Sequence, residues 1–319
     1  MPKYILLRIA RWIPGVILLL LFVYALMFYG AGDPVRLMFL KEPGDVAWDT
    51  ERMNAIREEL GLNRSFLVQF GEYIGKVFKG DLGNSLVQRR SVNDMIKSTF
   101  PVTLQIALAA AFLVGLFGIP LGIIAALNQN GFWDNLILGA ALFVWSIPSF
   151  VTAPLLMVLL CLNFKILPVP YGWKGVFTVN AILPLFVASF RPMALVIRQT
   201  RTGVISVLSE DYIRTAKAKG LSGFTIVVKH ALRPVLTPVV TQLGIVFSNL
   251  ISGSLFIEII FGIPGIGRLM KSSIVDSDYS ALMGCVLVIL AVITLINLII
   301  DIIYPLLDPR LRAQQVREK

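Results

Sequence analysis

The chain has 319 residues, of which 56% are hydrophobic and 15% charged, and its mean hydropathy is +0.79. A soluble domain is usually about 45–50% apolar, so the composition argues against a water-soluble globular chain and for a membrane protein. The net charge of +10 would point a soluble chain toward nucleic acid. Here it is better explained by positive charge gathering in cytoplasmic segments, and no nucleic-acid partner is expected.

In chain order, a basic start (Lys3, Arg8, Arg11) leads into a first apolar run over 13–29. It lacks a small-x-small cleavage site, so it reads as an uncleaved first helix. Residues 31–98 form the one sizeable segment outside the membrane. Thr50 is placed to cap a helix through ERMNAIREELGL, with Gly61 as its stop. A second helix is expected from Phe66 to Lys79, ending at Gly80, and GDLGNS follows as a turn. With few large apolar residues, this piece is expected to pack on the membrane bundle.

Further apolar runs cover 101–127, 136–160, 181–197, 235–260 and 281–307. Each reaches or approaches the roughly 20 residues that cross a bilayer core as a helix. An all-α integral membrane protein with six transmembrane helices is expected. Lys and Arg at the start, between spans four and five (Arg201, Arg214, Lys217, Lys219, Lys229, Arg233) and after span six (Arg310, Arg312, Arg317, Lys319) put both termini in the cytoplasm. Pro120, Pro148, Pro154, Pro184 and Pro192 lie in the spans. They either bend helices along a moving pathway or reflect the ordinary frequency of proline in membranes. Gly118 and Gly122 have GxxxG spacing, which lets helices approach closely.

Arg191 interrupts the fourth run beside Pro192. It reads as a counter-ion for a substrate carboxylate, as half of an ion pair with a partner subunit, or as a snorkelling side chain. The fifth run has a polar stripe of Gln242, Asn249, Ser252 and Gly253, suited to lining a pore or to packing helices. Cys161 and Cys285 read as unpaired small hydrophobes, and no Cys/His cluster indicates a metal. His230, the single histidine, reads as a packing or interface residue.

The stretch EDYIRTAKAKGLSGFTIVVKHALRP (210–234) places a short charged helix between spans four and five. Ser209 is the expected N-cap, Glu210 and Asp211 fall in the first turn, basic residues follow, and Gly220 ends the pattern. Tyr212 and Ile213 offer apolar anchors for a docking partner. By composition alone, a solvated loop that binds acidic membrane lipid is the competing reading.

This stretch resembles the EAA-type coupling loop of ABC importer membrane subunits. DYIRTAKAKGLS followed by HALRP is similar to the peptide/nickel class. AGDP (31–34), ELGLNRSFLVQF (59–70), GDLGNS (80–85), the Pro101-Val-Thr-Leu opening, IEIIFGIPGIG (257–267), Asp278-Tyr279 and YPLLDPRLR (304–312) extend the resemblance over nearly the whole chain. Together they resemble the B-type permease, the first of the two in such importers.

The resemblance implies a type I ABC importer (MetI-like) permease fold in the bacterial inner membrane. Residues 1–30 would be tail and first helix, 31–98 the external segment, 99–307 the core with its coupling loop at 203–234, and 308–319 a cytoplasmic tail. The implied partners are a second permease in a heterodimer, two cytosolic ATPase subunits and an external binding protein. The implied coupling residues are Glu210, Asp211, Tyr212, Arg214, Thr215, Ala216, Lys217 and Gly220. Candidates for the translocation pathway are Arg191, Gln242, Asn249, Ser252 and Glu258. No catalytic role is expected. The chain has no Walker A sequence, so ATP and Mg would be bound by the partner ATPases and no cofactor by this chain. Di- and oligopeptides are the expected cargo, with oligosaccharide or nickel chelate as the alternatives within the class. An intramembrane enzyme would need paired Asp, a Ser/His pair or a His-rich site in the spans, and none is visible. An ion-gradient transporter would need ionisable groups at mid-membrane, where Arg191 is the only clear charge.

Overall fold

Breaks in the apolar runs decide where helices begin and end in the computed structural model, which describes residues 2–30, 35, 50–59, 61, 63–85 and 87–307. Every regular element among them is helical. They are α1 (Pro2–Gly30), α2 (Thr50–Glu59), α3 (Phe66–Phe78), α4 (Val92–Leu127), α5 (Phe132–Ser146), α6 (Ser149–Asn163), α7 (Val179–Leu208), α8 (Asp211–Ala218), α9 (Gly223–Gly253), α10 (Leu255–Ile260), α11 (Ile266–Val275) and α12 (Tyr279–Leu307). AGDP at 31–34, Leu60, Leu62 and the tail from 308 lie outside the described residues, as do the side chains of Lys3, Arg8 and Arg11.

α1, α4, α7, α9 and α12 are each long and apolar enough to cross a membrane, and α5 with α6 makes a sixth candidate. That sixth candidate departs from the expected straight run over 136–160. It is bent by 100° between its two helices. The cause is local: Ile147 and Pro148 both have extended backbone, as a residue before proline prefers. The second span also differs, since its helix starts at Val92, well before Pro101. Val92, Met95 and Ile96 recur at helical spacing and are buried, which carries the helix back through polar sequence. The fifth run is two elements, with Ser254 closing α9 and α10 following. The fourth continues through Arg191, Pro184 and Pro192 as one helix of 30 residues.

The described chain falls into two compact units. The first comprises Met1–Pro101 and Gly265–Ala291. Its core joins Leu20 and Met27 of α1, Phe70 of α3 and Met283 of α12. Tyr24 packs against Phe66, Phe70 and Tyr73, so α3 lies on α1 as its composition requires. Gly61 and Gly80 take left-handed backbone where the helices were expected to stop. The GDLGNS turn closes through Val92 N–H donating to the Gly83 carbonyl at 3.0 Å. It meets the second motif, Asp278-Tyr279, through the Ser85 hydroxyl, which donates to the Asp278 carboxylate.

The second unit comprises Val102–Pro264 and Val292–Lys319. Its α4–α7 contact is the GxxxG approach. A Cβ on Gly118 would lie 3.1 Å from Val196, and one on Gly122 would lie 2.7 Å from the Ile197 carbonyl oxygen. α9 and α12 meet at Gly244, where a Cβ would stand 1.9 Å from Ile300. Cys161 and Cys285 are buried and neither is in a disulfide.

Two predictions follow from these contacts. Gly122→Leu overpacks against backbone and lowers stability by about 1–3 kcal/mol, whereas Gly139→Ala, with nothing within 4 Å of its Cβ, does not. Thermal unfolding in detergent separates the two. Burial also raises the Asp278 carboxyl above the ordinary range, against the opposing pull of the Ser85 bond. A carboxyl raised on folding favours the folded chain when protonated. That contribution is full below the unfolded value of about 3.9 and fades as pH climbs through the folded value. The melting temperature of the wild type therefore falls more steeply from about pH 4 upward than that of Asp278→Asn. Parallel curves would remove Asp278 as the source.

Candidate functional site

α7 ends where the Ser209 hydroxyl donates back to the Ser206 carbonyl at 2.6 Å. This corrects the expectation that Ser209 caps the next helix, because its hydroxyl serves the end of α7. Glu210, with extended backbone, holds the N-cap position of α8 without a side-chain cap bond. Asp211 in the first turn and Lys217 in the last still suit the helix dipole. α8 stops at Gly220, whose φ of +77° turns the chain as expected of that glycine.

An eight-residue helix is unstable alone in water. α8 is held by Ile213 and Ala216, buried with Ile226 against Val207 and Leu208. Full burial of an isoleucine side chain contributes about 2 kcal/mol. Their spacing of three residues puts both on one helix face. Ala216, expected on the coupling surface, and Ile213, expected to anchor a partner, therefore face this chain's own core. Glu210, Asp211, Tyr212, Arg214, Thr215, Lys217 and Gly220 are exposed. Tyr212 keeps 47% of its surface exposed. The Arg214–Asp211 ion pair at 3.3 Å lies in open solvent and contributes little.

Ser222 caps the next helix, accepting from the Thr225 amide at 3.3 Å. α9 then passes through a π-helical stretch, Ile226–Ala231, which contains the half-buried His230. Pro234 offers no N–H to the His230 carbonyl, and this relaxes the ordinary ladder there. Leu221, Phe224 and Val228 remain exposed, Phe224 by 80%. Tyr212 and Phe224 thus give the loop two exposed aromatic rings among Lys217, Lys219 and Lys229. Phe224 escaped the sequence reading. The signal for it was a lone aromatic in a loop of small and basic residues.

Arg201, expected as a loop charge, lies inside α7. Its guanidinium donates twice to Asp134 at the start of α5, at 2.5 and 2.7 Å. Asp134 is 1% exposed and also accepts from the Asn130 amide at 2.8 Å. Deeper along the same helices, the Arg191 guanidinium stands 4.6 Å from the centre of the Trp145 ring.

Of the other expected pathway residues, Asn249 and Ser252 are exposed on α9 and Gln242 is half-buried. Glu258 has 0% exposure and accepts from Thr103 at 2.6 Å and from Ser254 at 2.7 Å. It ties the beginning of α4 to α10 from inside the fold. Among the described residues, no three His, Cys, Asp or Glu side chains gather as a metal site.

Residues 118–313 match the family described as "Binding-protein-dependent transport system inner membrane component", and residues 1–107 match the corresponding N-terminal family. The chain is 36% identical over 313 residues to the oligopeptide transport system permease protein OppB of Haemophilus influenzae, covering 98% of this chain and 100% of that one. It is 38% identical over 255 residues to the dipeptide transport system permease protein DppB of Bacillus subtilis, covering 80% and 82%. The glutathione transport system permease protein GsiC of Salmonella paratyphi A matches at 36% over 318 residues, covering 98% and 99%. Among solved structures, an inward-facing MetNI methionine ABC transporter chain aligns with a TM-score of 0.57 at 16% identity, over 67% of this chain and 96% of that one. At that identity the likeness concerns the fold alone.

The Asp134–Arg201 contact generates its own prediction. Asp134→Ala leaves a mostly buried guanidinium without its partner and destabilises the protein by about 3–5 kcal/mol. Arg201→Lys keeps the charge but not the two-pronged geometry and costs less. Melting of the purified variants in one detergent gives the order; equal, negligible losses would show that the pair is not a structural tie.

Proposed function

The chain belongs to the binding-protein-dependent transport inner-membrane components, and from that membership we propose that it carries peptides as one permease half of an ATP-driven importer. The named relatives, permeases for oligopeptides, dipeptides and glutathione, support di- and oligopeptides as the cargo. In this reading an external binding protein delivers the peptide, and a second permease in a heterodimer completes the pathway. Two cytosolic ATPase subunits bind ATP and Mg and do the hydrolysis, while this chain performs no bond chemistry. Both termini then lie in the cytoplasm.

The carrying observation is the two-sided build of α8. Ile213 and Ala216 fasten it to the chain's own core, while Tyr212, Arg214, Lys217 and the neighbouring Phe224 face outward. A short helix held on one side and bare on the other can be pushed by a partner and pass that push into α7. Tyr212 and Phe224 supply the aromatic contacts that concentrate binding energy at protein interfaces, and the lysines form a basic rim. Glu210, Asp211, Thr215 and Gly220 set the helix's start, solvent face and end.

Reconstituting this chain with its partner permease, ATPases and binding protein tests the reading. Tyr212→Ala together with Phe224→Ser should weaken ATPase attachment by at least about 30-fold, the equivalent of about 2 kcal/mol. Stimulation of ATP hydrolysis by loaded binding protein should fall with it. Ile213→Ala should instead lower the melting temperature. Full attachment and uptake in the double variant would sink the docking assignment.

A further inference from the structure

α5 and α7 run side by side in opposite directions, because Asp134 early in α5 meets Arg201 late in α7 and Trp145 late in α5 meets Arg191 earlier in α7. The short turn over 128–131 joins two spans, so it marks a membrane edge. The Asn130 amide in that turn bonds Asp134, which puts the Asp134–Arg201 pair at the same edge. Counting back along α7 from 201 to 191 covers about 15 Å at 1.5 Å per residue. That depth is near the middle of a hydrocarbon core about 30 Å thick. Position 198 lies only about 4–5 Å inside the edge.

Arg191 and Arg198 are seven residues apart, which places them within about 20° of one another around the helix. Both are exposed, with half-buried Leu195 between them and exposed Thr202 beyond. Arg191 is covered on one side by Trp145. Among the described residues, neither guanidinium has an ion pair or a side-chain hydrogen bond. A guanidinium laid against a ring keeps its edge N–H groups available, and those edges match a carboxylate two-fold. An arginine at mid-membrane must face protein or water, not lipid. A lipid phosphate at the edge could serve Arg198, but not Arg191 some 15 Å inward.

We propose that Arg191 and Arg198, with Trp145 as a platform, are two successive stations for the carboxylate of a peptide in transit. This rests on the peptide-importer reading and adds to it the group recognised inside the pathway. A carboxylate entering the membrane loses its water. Arg191 replaces that water with paired N–H donors near the midplane, and Arg198 takes the group over nearer the edge. Two stations along one helix face pass the charge on in steps without trapping it, as conduction requires.

The test uses the complete transporter in vesicles of neutral phosphatidylcholine. A peptide and its C-terminal amide are each supplied at saturation on the binding protein. Arg191→Gln and Arg198→Gln should each lower ATP-driven uptake of the free acid about tenfold, with the amide changed less than about twofold. Arg191→Lys, which keeps the charge but not the two-pronged edge, should recover only part of the acid uptake, and an unchanged melting temperature in each variant guards against misfolding as the cause. Equal losses for acid and amide overturn the proposal. So does uptake that follows added anionic lipid irrespective of the peptide's charge, which would assign the arginines to lipid phosphate. A wild-type transporter that imports neither peptide refutes the importer reading as well.

Discussion

The two-pronged contact between Arg201 and Asp134 governs how the helices around the site are registered. A buried carboxylate and guanidinium tolerate little displacement, because either one alone would be left charged in a medium that solvates it poorly. The pair therefore fixes how far α5 and α7 are slid past each other. From Arg201, α7 runs unbroken to Leu208, and Ser209 passes the chain into α8. α8 thus follows a helix that is pinned about two turns before its end. On the far side of the pin, the same register carries Trp145 to Arg191. The GxxxG contact holds α7 from another side, with Gly122 against Ile197 and Thr200 in the turn next to the pin.

Much of this could be read from the chain itself, and the division has a physical basis. Apolar runs gave the spans, because hydrocarbon demands a continuous apolar helix. Gly61, Gly80 and Gly220 ended their helices as expected, since left-handed backbone is a local property of glycine. Ser209 misled because it stands between two helices and can serve either; its hydroxyl chose the carbonyl behind it. Pro148 was visible as a breaker, but a breaker does not state an angle, and the bend of 100° depends on Ile147 as well. The contacts Asp134–Arg201, Thr103–Glu258 and Ser85–Asp278 span 67, 155 and 193 positions. No periodicity or local motif encodes such a pairing, so they emerge only once the helices are placed.

The two candidate regions divide the work by environment. Around α8, the rings of Tyr212 and Phe224 and the neighbouring charges are exposed, which suits a surface made and unmade by a partner. Within the spans, several charges are bonded, stacked or enclosed, Asp134 by Arg201, Arg191 by Trp145 and Glu258 by Thr103 and Ser254, while Arg198 stays exposed. Such side chains cost too much to be left idle there, so each tells where protein or water must be.

The inward anchoring of α8 has a practical side. A synthetic peptide copied from 209–220 would carry every outward residue of the helix, yet it would lack Ile226, Val207 and Leu208, against which Ile213 and Ala216 close. In solution it would spend most of its time unwound and would present Ile213 to water. Any mimic of the outward face of α8 has to bring its own floor, by a staple or a grafted helical scaffold, and has to include Phe224 from across the glycine bend.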